Sequence, residues 1–213
     1  MKLKVCGMRQ PDNCQELLQK VQPDWMGIIM YPPSPRYAGA ADARHLRLLD
    51  AKKVGVFVNE DIGKISQAVE DFGLSTIQLH GKETAEETKR IKSETGLEVF
   101  KVFSVAEHID WLQMEDYLPF SDYFLFDTFT KAHGGSGKSF NWKLLEEYPF
   151  DKPFLLSGGI GPLHAAKIKE LTASLPQMAG VDINSGFEVS PGLKDVSMIG
   201  EFKNEIDTQL KSK

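Results

Sequence analysis

Cysteine is scarce in this chain: Cys6 and Cys14 are the two thiols among 213 residues. Two thiols cannot build the disulfide framework of a small secreted scaffold, so a reducing, cytoplasmic setting is expected. Long apolar runs are missing too. No stretch approaches the roughly 18 apolar residues that a membrane span needs. The opening MKLKVCGMRQ lacks a continuous apolar region, so it is expected to be a strand of the mature protein and not a signal. Positive charge is not in excess: 25 Lys and Arg face 30 Asp and Glu, a net charge of -5. That argues against nucleic acid as the main partner. A small anionic substrate stays possible, because a few local donors can hold one phosphate. The five histidines form no metal set, since His45, His108 and His164 have no paired ligand at i+3 or i+4. The dinucleotide fingerprint G-x-G-x-x-G is absent as well.

What the chain has is a rhythm. Short apolar runs fall at 2–7, 24–31, 53–58, 75–80, 98–105, 122–128, 153–158 and 179–184. They are rich in Val, Ile and Phe, which suits buried parallel strands. Amphipathic stretches lie between them: 11–21, 41–50, 61–72, 83–95, 106–115, 141–147, 162–172 and 194–211. Eight strands alternating with about eight helices predict a compact (β/α)8 TIM barrel, an α/β fold with residues 1–213 as one domain. A doubly wound open sheet is the alternative from the same alternation.

One motif points elsewhere. Within KAHGGSGKSFNW, residues 131–142, Gly137-Lys138-Ser139 ends as a phosphate-gripping P-loop ends, but Ala132 stands where that motif needs its first glycine. FLFD, 124–127, is separated from Gly137 by nine residues, and Pro149 stops the helix that would follow. A nucleotide hydrolase is therefore not expected. The glycines instead predict a loop that closes over substrate, with Lys138 a candidate contact.

In a barrel the chemistry sits at the C-terminal strand ends. Alternation turns Leu3 and Val5 toward the helices, and Lys4 and Cys6 inward. It likewise turns Phe124 and Phe126 outward and Asp127 inward. Cys6 and Asp127 would then face each other across the mouth, as proton withdrawal on one side and donation on the other require. Cys6 is otherwise a small buried hydrophobe, and Asp127 otherwise the cap of the next turn. As a base Cys6 needs help to ionise, which Lys4 could supply. Arg36 in SPRY suits a carboxylate or phosphate, or is a solvated surface residue. Gly158-Gly159 and Ser185-Gly186 lie where such barrels bind phosphate on backbone N–H groups after strands seven and eight. Tight turns are the plainer reading of those loops. His80, with Gln78, ends strand four facing inward, either to touch substrate or to complete a polar layer. Asp182 ends strand eight and is a further candidate for substrate contact.

KVCGM (4–8), SPRY (34–37), VGVFVN (54–59), QLHG (78–81), FDT (126–128), GGSGKSFNW (134–142), LSGGI (156–160) and DINSGFE (182–188) occur in order along the whole chain. Together they resemble the phosphoribosylanthranilate isomerase family. The resemblance implies a (β/α)8 barrel that isomerises N-(5-phosphoribosyl)anthranilate to 1-(2-carboxyphenylamino)-1-deoxyribulose 5-phosphate in tryptophan biosynthesis. It implies no cofactor and no metal, and a small phosphosugar as ligand. It further implies Cys6 as general base, Asp127 as general acid and Arg36 as partner of the anthranilate carboxylate. Gly158, Gly159, Ser185 and Gly186 would hold the phosphate. Monomer and homodimer both remain open. Two positions depart from the pattern: Asn141 stands where an aspartate is expected, and Pro33 stiffens the loop that carries Arg36. The rivals are another phosphosugar barrel, of the histidine-pathway isomerase or indole-glycerol-phosphate synthase type, and a non-catalytic phosphate-binding barrel.

Overall fold

The computed structural model describes residues 1–129 and 139–208. Eight parallel strands close into a barrel in sequence order: β1 (Lys2–Val5), β2 (Trp25–Ile29), β3 (Lys53–Phe57), β4 (Thr76–Leu79), β5 (Glu98–Val105), β6 (Tyr123–Thr128), β7 (Phe154–Leu156) and β8 (Met178–Ile183). The pairing of β1 with β8, Lys2 opposite Gly180 and Lys4 opposite Asp182, closes the ring and excludes the open sheet. A small antiparallel hairpin, β9 (Glu188–Ser190) and β10 (Leu193–Lys194), follows β8.

The helices are α1 (Pro11–Lys20), α2 (Ala40–Arg47), α3 (Ile62–Phe72), α4 (Ala85–Thr95), α5 (Leu112–Glu115), α6 (Ala165–Ser174) and α7 (Val196–Asp207). Their ends follow capping chemistry. Asp61 accepts from Gly63 N at the start of α3, and Gly73 ends that helix at φ 62°. Thr84 and Glu87 form a reciprocal capping box at α4.

Two helices expected from the sequence come out short. Of 106–115 only one turn is α-helical, and 141–147 is a 3-10 segment, Trp142–Glu147. Aromatic rings do the covering there. Trp111, Tyr148 and Phe150 pack edge-on against the outward-facing Phe124, Phe126 and Phe154, with ring centres 4.8–6.2 Å apart. Large flat side chains bury enough area for short segments to seal the barrel wall.

The barrel interior is layered. At the N-terminal end Trp25, Phe100 and Tyr123 meet edge-to-face, with Lys2 Nζ 4.8 Å from the Trp25 ring and 2.6 Å from the Tyr123 hydroxyl. Val54, Val102, Leu125 and Leu155 fill the middle. Toward the C-terminal mouth the lining turns polar, with buried Lys4, Gln78 and Asp182. A bulge decides the last of these. Phe154 pairs with Met178 but Leu155 with Gly180, so Ala179 is an extra residue in β8. Without it, alternation from the outward-facing Met178 would turn Asp182 away from the barrel axis.

Candidate active site

Cys6 follows β1 directly, its N–H donating to Ile183 O at 2.9 Å. Leu3 and Val5 are fully buried against the helices, which leaves Lys4 and Cys6 inside, as alternation predicts. Gly27 on β2 makes room for both. A Cβ there would come within 2.9 Å of Cys6 Sγ and 3.1 Å of Lys4 Nζ, so no larger residue fits without moving the thiol.

Lys4 Nζ lies 2.9 Å from each oxygen of Asp182, with the lysine fully buried and the aspartate 6% exposed. Asp182 thus sits beneath the mouth as counter-ion to Lys4. Burial raises the Cys6 thiol pKa above its ordinary value, and the Lys4 ammonium beside it pulls in the opposite direction. Burial also works against the charge on Lys4, but Asp182 and Cys6 outweigh it and hold the lysine protonated. Asp182 is raised by burial, with Lys4 opposing and with smaller influences from Asp127 and His80. Cys6, Lys4, Asp182 and Asp127 therefore belong to one electrostatic cluster.

Asp127 sits on β6, its carboxylate fixed from two sides. Thr128 N donates to Oδ1 at 2.9 Å, and His80 Nε2 lies 3.1 Å from Oδ2. Gln78 Nε2 is 3.2 Å from His80 Nδ1, an arrangement that assigns the ring proton to Nε2. His80 therefore touches the candidate acid, a contact its place in the sequence did not reveal. Gly158, at φ 83°, passes so close that a Cβ would lie 2.8 Å from Asp127 Oδ1.

Gly158 and Gly159 both adopt positive φ, and among the described residues neither amide has an internal acceptor. The 3-10 turn Ser185–Phe187 lies against the next residues of the same loop: a Cβ on Gly186 would meet Ile160 O at 2.2 Å. The loops after β7 and β8 are thus one surface, bordering the Asp127 side of the mouth.

Arg36 is anchored in its turn by its own N–H to Ser34 Oγ, 3.2 Å, and by the bridge of Tyr37 to Ile29. It is not a solvated surface residue, being paired with Glu188 at 2.6 Å. Glu188 and Lys194, which the sequence reading did not single out, join it there; nothing in the spacing of β9 and β10 marks them. Asn141 retains a capping role, its Oδ1 accepting from Lys143 N at 3.3 Å. The glycine loop itself, with Lys138 and its expected closure, lies outside the described residues. Among those residues no group of three or more His, Cys, Asp or Glu could hold a metal.

Comparison with known proteins gives this geometry a context. The model of the family described as N-(5'phosphoribosyl)anthranilate (PRA) isomerase matches residues 3–205. An N-(5'-phosphoribosyl)anthranilate isomerase of Phocaeicola vulgatus is 41% identical over 210 residues, covering 99% of this chain and 100% of its own. The one from Parabacteroides distasonis is 40% identical, with 97% and 93% covered. The crystal structure of phosphoribosyl anthranilate isomerase from Thermotoga maritima is 32% identical at a TM-score of 0.80, over 97% of this chain and 98% of that one. Another such isomerase, in complex with reduced 1-(o-carboxyphenylamino)-1-deoxyribulose 5-phosphate, is 28% identical at a TM-score of 0.77, with the same coverage. A match spanning nearly the whole barrel, at this identity, leaves one assignment: the chain belongs to the N-(5'-phosphoribosyl)anthranilate isomerase family of tryptophan biosynthesis.

Proposed function

We propose that this chain isomerises N-(5-phosphoribosyl)anthranilate by an Amadori rearrangement, with Cys6 as general base and Asp127 as general acid. The observation that carries the reading is that Cys6, just after β1, and Asp127, on β6, both border the buried Lys4–Asp182 pair in one polar cluster. Asp127 protonates the furanose ring oxygen, and the C1′–O bond breaks to give an open-chain iminium. His80 and the Thr128 amide each donate to one carboxyl oxygen, so they favour the carboxylate that proton donation leaves behind. The iminium acidifies the C2′ proton, which Cys6 removes as thiolate. Lys4 supplies the positive charge that the thiolate needs in a buried place. The enolamine then tautomerises to the ketone, and proton return through solvent resets Cys6 and Asp127.

Binding groups surround this pair. The phosphate rests on the backbone N–H groups of Gly158, Gly159, Ser185 and Gly186, and Arg36 takes the anthranilate carboxylate. The ligand held by the related isomerase bears both of those anionic groups on one molecule. Fixing them positions C2′ from a distance, so that binding energy away from the chemistry serves the reaction. Asp182 enters as the counter-ion of Lys4. We place the protein in the cytoplasm, free of nucleic acid and membrane, acting as a monomer or a homodimer; the Thermotoga maritima enzyme is described as dimeric.

The test is loss of substrate fluorescence with purified protein and its Cys6→Ser and Asp127→Asn variants. Each substitution is expected to lower kcat by about two or more orders of magnitude, with the circular-dichroism spectrum unchanged. Near-normal turnover in either variant removes that residue from its role.

A further inference from the structure

A second cluster of charges is buried where the loop after β2, the end of β8 and the β9–β10 hairpin meet. Arg36 offers Glu188 the side-on edge of its guanidinium. Nε lies 2.9 and 3.0 Å from the two carboxylate oxygens, and Nη2 lies 2.6 Å from Oε2. Lys194 Nζ donates to Glu188 Oε1 at 2.6 Å and to Asn184 Oδ1 at 2.6 Å, and Gly192 N adds a bond of 3.1 Å to Oε1. The side chains of Arg36, Glu188 and Lys194 are 11%, 4% and 0% exposed. Asn13 locks the main chain of Lys194 through bonds of 2.9 and 2.8 Å to its carbonyl and amide.

The cluster adjoins the reacting centre. A Cβ on Gly7, the residue after Cys6, would lie 2.9 Å from both Arg36 Cδ and Asn184 Oδ1, and 3.5 Å from Lys194 Nζ. Two basic side chains converge on one carboxylate in a largely dry setting, where burial lowers the Lys194 pKa and Glu188 opposes that; a further anion would find two basic groups already gathered there. Among the described residues Nη1 of Arg36 has no hydrogen-bond partner, so the end-on edge formed by Nη1 and Nη2 is not engaged by any of them. A guanidinium can bind one carboxylate side-on and a second end-on, because its donors lie in one rigid plane.

We propose that Glu188, itself held by Lys194, is the positioning residue for Arg36, and that the pair determines selectivity for an ortho-carboxylated aryl amine. Glu188 grips the side-on edge and fixes the plane, so that the end-on edge meets the substrate carboxylate. Lys194 is the second basic partner that holds Glu188 in place when a second carboxylate binds. This rests on the reading of Arg36 as the carboxylate partner.

Steady-state kinetics on two substrates test it: N-(5-phosphoribosyl)anthranilate and its carboxylate-free counterpart, N-(5-phosphoribosyl)aniline, followed by absorbance. Glu188→Gln is expected to raise KM for the first about tenfold, as loss of one charge-assisted partner does. It should leave kcat within about threefold and kcat/KM for the second unchanged. Glu188→Asp, with the charge retained and the reach shortened, should give a smaller rise confined to the carboxylated substrate. An unchanged KM in Glu188→Gln, or an equal loss on both substrates, overturns the proposal in favour of a structural role. Should Glu188→Gln fail to fold, Glu188→Asp decides alone, and absence of a carboxylate-selective effect overturns the proposal. Arg36→Ala separates the two readings. If it impairs both substrates equally, the Arg36 assignment itself falls, and the proposal with it.

Discussion

Cys6 sits where burial disfavours its own ionisation, and the residue two places earlier offsets that only in part. Lys4 reaches the same inner face by strand alternation, and Gly27 opposite leaves the space both side chains occupy. Lys4→Met is expected to move the rising, alkaline-going limb of the kcat/KM pH profile to higher pH. The sign follows from charge: the lysine favours the thiolate, and without it Asp182 stands unbalanced and disfavours the thiolate further. The same change should cost about 3–5 kcal/mol of stability, because it breaks a buried pair and leaves one charge behind. A pH-rate series with parallel denaturant titration reads both; a limb that stays in place would refute the role of Lys4. At this scale the inward face of Cys6 and Asp127 was legible in the sequence, since period-two alternation needs no partner. The contacts Lys4–Asp182, His80–Asp127 and Arg36–Glu188 were not, because 178, 47 and 152 residues separate them.

Elements follow local chemistry where the chain supplies it. The α4 helix begins at Thr84, which accepts from Glu87 N at 3.2 Å while Glu87 Oε2 accepts from Thr84 N at 2.7 Å. Thr84→Ala should cost about 1 kcal/mol and lower Tm by about 2–4 °C, with turnover unchanged. Differential scanning calorimetry and the fluorescence assay check this, and an unchanged Tm would show that the cap contributes nothing. The stretches 106–115 and 141–147 carry apolar residues at helical spacing, yet only short turns form, because Trp111, Tyr148 and Phe150 cover β6 and β7 directly. The bulge at Ala179 had no sequence signal. It arises in pairing β8 with β7 while β8 also pairs with β1.

At the scale of the molecule, the barrel shares its strands and its outer core among all eight repeats. Among the described residues no set of repeats owns a separate interior. Residues 1–213 should therefore unfold as one cooperative unit, with coincident transitions by circular dichroism and by tryptophan fluorescence in urea. Two resolved transitions would divide the chain and contradict the single-domain expectation. Trp25 inside the barrel and Trp111 outside it report on different layers, which gives the comparison its power.

The sequence by itself determined the eightfold alternation, the inner faces of β1 and β6, and the ordered motifs that mark the family. All of these are periodic or contiguous, and so need no folded partner to be seen. Tertiary structure alone decided that the sheet closes through β1 and β8, that Asp182 turns inward past a bulge to balance Lys4, and that Arg36 is held by Glu188 and Lys194. Those outcomes depend on ring closure and on buried charges finding one another across the chain, which no local pattern encodes.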